Sequence, residues 1–310
     1  MREGHVTDEL AGLLAAGERA AFHGRPAAGV APLQRAVEAA HAAGRDDEAT
    51  AAAWLLGVAL GAAGRYGSAL AVLDPLAEHG AAAPPARRLF AALAAATAAS
   101  VHRQLGRHAA ARTLDDRALA LAGDSAEAVF DARLGLAADA VGLGEAQVAE
   151  TELARAAEVA QGRPDWWRQR VRLEWVRTEV ALLTGDPAEA ARCADAAVTL
   201  AEVSGAPRHV AKGLLFLGVA EVERGDRPAA VATLRRAATL AESLGCLPLL
   251  WPSRAVLGAL LESEAPAEAA RHLAGARSAV LAIADDLPEE LRSGWLERPD
   301  IAALLGSSGE

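Results

Sequence analysis

The chain has 310 residues, 31 basic against 41 acidic, a formal net charge of −10, and 52% hydrophobic but only 4% aromatic content. That balance disfavours nonspecific binding to nucleic acid or to an anionic membrane, because neutralising phosphates needs clustered cations. No stretch reaches the ~18 uncharged apolar residues of a membrane span, the first ten residues hold no apolar signal core, and Cys193 and Cys246 lie far apart, so a reduced, cytoplasmic protein is expected. Roughly a quarter of the residues are Ala, the best helix former, and no long β-branched alternation occurs. An all-α fold follows.

Gly24, Gly64, Gly106, Gly144, Gly185 and Gly225 recur at intervals of 40, 42, 38, 41 and 40 residues, and Ala265 takes the next slot. Each ends one apolar-periodic segment and precedes another, which predicts seven helical hairpins with turns at those positions. Unit one is irregular, with Gly29 where later units carry Ala. Unit two reads Trp54-Leu-Leu-Gly57, then Leu60, Gly64, Tyr66, Ala69 and Leu73. Units three to five keep the second-helix alanines as Ala111, Ala149 and Ala190, then Ala118, Ala156 and Ala197. Unit six has Leu217-Gly218 before Gly225, with Ala230, Leu234 and Ala237 after it; unit seven has Leu257-Gly258 but no turn glycine. Residues 79–85 and 162–164 read as weak linkers. The array is expected over 1–286, followed by a capping helix over 287–305, in which Leu291, Trp295 and Leu296 cover unit seven, and a disordered tail over 306–310.

The Leu-Gly pair on the first helix, the turn glycine, and the small and large residues spaced along the second helix resemble the tetratricopeptide repeat. The units run near 40 residues rather than 34. The segments Leu200-Ala-Glu-Val-Ser-Gly205 and Leu240-Ala-Glu-Ser-Leu-Gly245 look like the long-repeat branch found in bacterial signalling regulators and kinesin light chains. The resemblance implies a right-handed α-solenoid whose first helices line a concave groove, and a protein that binds other proteins or peptides.

Motifs for catalysis are sparse. The sole lysine, Lys212, precedes Gly213-Leu214 within a helical segment, which excludes a phosphate-binding loop ending in Gly-Lys-Ser/Thr. The eight histidines form no helical His-x-x-x-His pair, and His102 and His108 only flank a turn. Acid pairs such as Asp46-Asp47, Asp115-Asp116 and Glu289-Glu290 suit helix starts and outer faces. No enzyme, no cofactor and no metal site are expected.

A binding face is more legible. Arg172, Trp175, Glu179 and Leu182 are spaced by 3, 4 and 3, which keeps them on one helical face, and Arg168 extends the stripe. Matching positions hold Asp131 and Leu134 in unit four, Lys212 and Leu215 in unit six, Trp54 in unit two and Arg103 in unit three. Trp166 and Trp167 add to this concentration of aromatic and cationic residues but read first as packing residues. The expectation is a scaffold that takes a partner segment in its groove, with Arg172 and Lys212 on acidic groups and Trp175 as an apolar anchor. The rival reading is a module that senses a peptide or small ligand and acts on a separate output protein. Self-association through the ends or outer faces stays open.

Overall fold

A computed structural model describes residues 2–78 and 84–306, with side chains from Glu9 onward. Its described residues form sixteen helices and no strand. Seven antiparallel hairpins follow one another: α1 (Arg2–His23) with α2 (Pro26–Ala42), α3 (Asp46–Ala63) with α4 (Tyr66–Glu78), α5 (Pro85–Gln104) with α6 (His108–Leu121), and α7 (Ala126–Gly142) with α8 (Ala146–Ala160). Then come α9 (Trp167–Leu183) with α10 (Pro187–Val203), α11 (Pro207–Glu223) with α12 (Arg227–Leu244), and α13 (Leu247–Leu261) with α14 (Pro266–Asp286). The molecule is an α-solenoid of tetratricopeptide-like hairpins.

The turns have one local chemistry. Gly64, Gly106, Gly144, Gly185 and Gly225 all have left-handed φ between +75° and +88°. In each case the following amide reaches back to a helix carbonyl five residues earlier, as in Arg65 N–H to Leu60 O (2.9 Å) and Asp226 N–H to Glu221 O (2.9 Å). These 6→1 bonds satisfy carbonyls that the helix end leaves open. Gly44, Gly123, Gly162, Gly205 and Gly245 form a second left-handed series between hairpins. Gly24 departs from the expected series: its φ is not left-handed, and the chain passes through a bend before α2 starts at Pro26.

Close helix approach follows from the small residues. Ala69, Ala111, Ala149, Ala190 and Ala230 are fully buried, as are Ala118, Ala156, Ala197 and Ala237 one helical stretch on. At Gly218 an added Cβ would lie 2.6 Å from Leu234 Cγ, so the Leu-Gly pair is a packing device. It lets a large side chain of the second helix sit directly on first-helix backbone.

Two expectations are revised. The cap is two short helices, α15 (Glu289–Leu296) and α16 (Pro299–Gly306), because Pro299 cannot continue a helix and disfavours helical backbone just before it. The cap also does more than cover unit seven. Trp295 is buried, meets Trp251 of unit seven edge-on at 6.0 Å and Tyr66 of unit two at 6.5 Å, and donates from Nε1 to Val280 O (3.3 Å). Linker residues 79–83 and tail residues 307–310 lie outside the described residues.

A linear solenoid touches only neighbouring repeats; this one closes on itself. α1 meets α11, α13 packs on α3, and α14 packs on α4. One apolar cluster accordingly joins Phe22, Tyr66 and Val101 to Ile283, Trp295 and Ile301. Polar contacts fasten the seam. Asp286 accepts from Ser68 N–H (2.9 Å), Ser68 Oγ (2.7 Å) and Arg65 Nε (3.4 Å), while Arg298 donates to Gln104 O. Gly64 lies at this seam, where a Cβ would fall 3.0 Å from Leu247 Cβ.

Candidate functional site

Closure turns the concave face into a central cavity of two adjoining lobes, about 280 and 410 Å³. Its wall comes mainly from the first helices, α3, α5, α7, α9, α11 and α13, with Phe22 from the end of α1, Tyr66 and His108 from the starts of α4 and α6, and Arg298 from the cap. Arg103, Glu179, Arg208 and Lys212 border both lobes. A chain of net charge −10 thus gathers six of its cations, Arg103, Arg168, Arg172, Arg208, Lys212 and Arg298, around one cavity whose lining acids among the described residues are Asp131 and Glu179.

Four of the six cations are bound to acids. Arg168 donates to Glu127 (2.8 Å) and lies 5.0 Å from the Phe22 ring centre; Arg172 pairs with Asp131. Both partners sit 41 residues upstream, one repeat away, so stacked units set each arginine beside an acid of the preceding first helix. Arg103 bridges Asp115 and Asp139 (2.9 Å to the latter), two fully buried carboxyls. Burial raises the pKa of Asp115 well above the usual carboxylate range and that of Asp139 also, with Arg103 opposing the rise. Burial works against the Arg103 charge, but the two acids outweigh it and hold the guanidinium protonated. Arg298 pairs with Asp300 (2.6 Å).

The remaining two lie on α11. Lys212 places Nζ 4.6 Å from the Trp175 ring centre and 5.2 Å from that of Phe216. Burial depresses its amine to about 8, with Glu179 partly opposing the fall and Arg208, Arg172 and Arg103 adding to it. Arg208, one helical turn earlier, has a buried Nε without a hydrogen-bond partner in the protein, and burial lowers its pKa. Neither side chain makes an ion pair among the described residues. Glu179 is only partly buried by surface area, yet desolvation raises its pKa, as expected for a group facing a narrow cavity rather than bulk water. His209 stacks on Trp175 (5.2 Å, 18°), meets Trp167 edge-on, and stays neutral because burial and four nearby cations push its pKa well down.

Of the predicted binding face, Trp54, Asp131, Arg168, Arg172, Trp175, Glu179 and Lys212 therefore line one cavity, in unequal roles, whereas Leu182 packs instead against the cluster of Ala181, Ala190, Ala191 and Ala220. Asp131 and Arg172 are committed to each other, and Arg168 to Glu127. Trp175 is buried, with His209 and Lys212 over its ring, so it is wall rather than projecting anchor. Trp54 is buried too and donates from Nε1 to Thr97 Oγ1 (3.1 Å). Glu179 and Lys212 remain without a close ionic partner. The sequence reading missed Arg208, His209 and Arg298. Arg208 carried a signal, since it stands four residues before Lys212 and shares its helical face.

Fold and site together define an all-α repeat protein whose tetratricopeptide-like hairpins close around a basic central cavity. Among solved structures, a Rap protein complexed with competence and sporulation factor matches with a TM-score of 0.67 at 11% identity, over 98% of this chain and 89% of that one. Aspartyl phosphate phosphatase F from Bacillus subtilis matches with a TM-score of 0.51 at 12% identity, over 97% and 82%. At such identities the likeness is one of fold. No protein-family model matches the chain, and no curated protein matches it by sequence. No described helix is long and apolar enough to cross a membrane.

Proposed function

We propose that the protein is a ligand-sensing regulatory module: a short peptide occupies the central cavity, and the state of the ring is read by a separate output protein. The observation that carries this is the closure itself. An open groove offers a long surface to a folded partner, whereas lobes of 280 and 410 Å³ are of the size that holds a short peptide or small ligand. The Rap structure that shares the fold is a complex with competence and sporulation factor, which supports a ligand-binding use of this architecture. The scaffold reading, a folded partner gripped in the groove, requires the seam to part.

A related fold is named an aspartyl phosphate phosphatase, so an activity on a partner is the second reading. Against it, among the described residues no cavity hydroxyl is hydrogen-bonded to a histidine or carboxylate, Thr97 for instance donating to Leu93 O, and an activated nucleophile needs such a base. We read the chain as acting by binding.

Native mass spectrometry tests the proposal. Purified protein is incubated separately with the low-molecular-mass fraction and with the protein fraction of an extract of its own cells, beside a seam variant, Asp286→Ala. The expected result is a one-to-one adduct of peptide mass on the wild type that is much reduced on the variant. Protein-sized adducts only, equal on both, would establish the scaffold reading instead.

A further inference from the structure

We propose that Arg208 and Lys212 form a subsite for a single carboxylate in the central cavity, so that the ligand is an acidic peptide or one held by its free C-terminus. This rests on the peptide-binding reading of the cavity and adds the charge of what binds.

Three observations carry it. First, each of the other cations of the wall is paired with an acid, from its own unit or a neighbouring one, whereas these two make no ion pair among the described residues. Second, their placement is costly. Arg208 Nε is buried without a partner, and the Lys212 amine is held against the Trp175 and Phe216 rings. A buried donor left unmatched is destabilising, and a ligand oxygen in the cavity that Arg208 lines would supply the missing partner. Third, the charge count fixes the ligand class. Two cations face the one acid, Glu179, and leave one net positive charge. A carboxylate balances that charge, while a phosphate dianion overfills it. The planar guanidinium fork also fits a carboxylate with two parallel hydrogen bonds. The groups that bear on the Lys212 charge come from every side: Glu179 and Arg172 on α9, Arg103 on α5, Arg208 on its own helix.

Lys212 is the only lysine in the chain, so amine chemistry reports on this subsite with the α-amino group as the sole other target. The probes are four pools of N-acetylated pentapeptides built from uncharged residues: neutral and amidated; amidated with one Glu; neutral with a free carboxylate; amidated with one Arg. Acylation of Lys212 at pH 8 is followed by mass spectrometry. A carboxylate seated beside the amine returns its pKa from about 8 towards the ordinary 10.5, which cuts the reactive free-amine fraction by on the order of tenfold or more. Protection by the Glu pool identifies a side-chain carboxylate; protection by the free-acid pool identifies a C-terminus. Arg208→Gln should weaken the protection at least tenfold, and Lys212→Gln should weaken calorimetric binding of the same pool, with helicity by circular dichroism unchanged. Equal protection by the neutral amidated or Arg pool, or full protection in Arg208→Gln, overturns the carboxylate subsite and leaves the peptide reading standing. Absence of binding by every pool, in both readouts at millimolar peptide, overturns both.

Discussion

Replacing Lys212 by Met should make the protein more stable, and the size of the gain follows from the cavity. Methionine keeps the stem that packs beside Trp175 and Phe216 and removes the charge. Burial lowers the amine from its ordinary 10.5 to about 8. At about 1.4 kcal/mol per pKa unit, the full shift amounts to roughly 3 kcal/mol of cost to the charged folded state. Because the side chain borders a cavity and keeps some solvent contact, we expect about 1–3 kcal/mol at pH 7. Below pH 8 the lysine is protonated in both folded and unfolded chains, so the cost is fully present. Between pH 8 and 10.5 the unfolded chain holds a proton that the folded chain has released, and wild-type stability climbs relative to the variant. Above 10.5 the difference vanishes. The assay is thermal and urea unfolding by circular dichroism at pH 7 and pH 10, compared by midpoint because repeat proteins need not unfold in a single step. A rise of roughly 2–6 °C at pH 7 that shrinks strongly at pH 10 is the expected outcome. A variant less stable at pH 7, or a gain independent of pH, would refute the view of Lys212 as an uncompensated cation.

The seam makes a second prediction: Asp286→Ala removes three bonds to Ser68 and Arg65, so small-angle scattering should show a radius of gyration raised from the compact value of about 20 Å with helicity retained. An unchanged radius would show that the apolar contacts alone hold the ring. Arg103→Leu should cost about 3–5 kcal/mol in urea melts by stranding two buried carboxyls, whereas Asp115→Asn should change stability by less than about 1 kcal/mol at pH 7. Because burial raises the Asp115 pKa, the folded state keeps a proton that the unfolded chain loses, so wild-type stability falls as pH rises from about 4; equal slopes in wild type and Asp115→Asn would contradict this. Gly225→Ala meets no side chain and should cost only the left-handed backbone term, about 1 kcal/mol, while Gly218→Leu should prevent close packing on Leu234 and cost more in the same melts.

The period of the sequence contained most of the local fold. Five of its six glycines cap helices in left-handed geometry, because a short turn between antiparallel helices needs a residue without Cβ there. The same period implied the Arg172–Asp131 and Arg168–Glu127 pairs, since residues 41 apart lie side by side in stacked units. That consequence was present in the matched positions but not drawn from them. What the sequence withheld was closure. It depends on the accumulated twist of seven units, each set by small packing differences, and Asp286 looks like any acid at a helix end until Ser68 is beside it. The character of the site depended on closure in turn: Trp175 reads as an exposed groove anchor on a linear array and becomes buried wall once His209 and Lys212 lie over it.

Closure also alters how the chain can be assembled in time. Linear arrays fold from any nucleus outward, each added unit resting on the last. Here the seam joins residues 182 to 221 positions apart, so its loop entropy falls due only after nearly all the hairpins exist. During synthesis the apolar faces of units two and three wait for Ile283, Trp295 and Ile301, which are made only after all the intervening units. Until these arrive, the growing chain exposes the surface that unit seven and the cap will cover, and chaperones or neighbouring nascent chains compete for it.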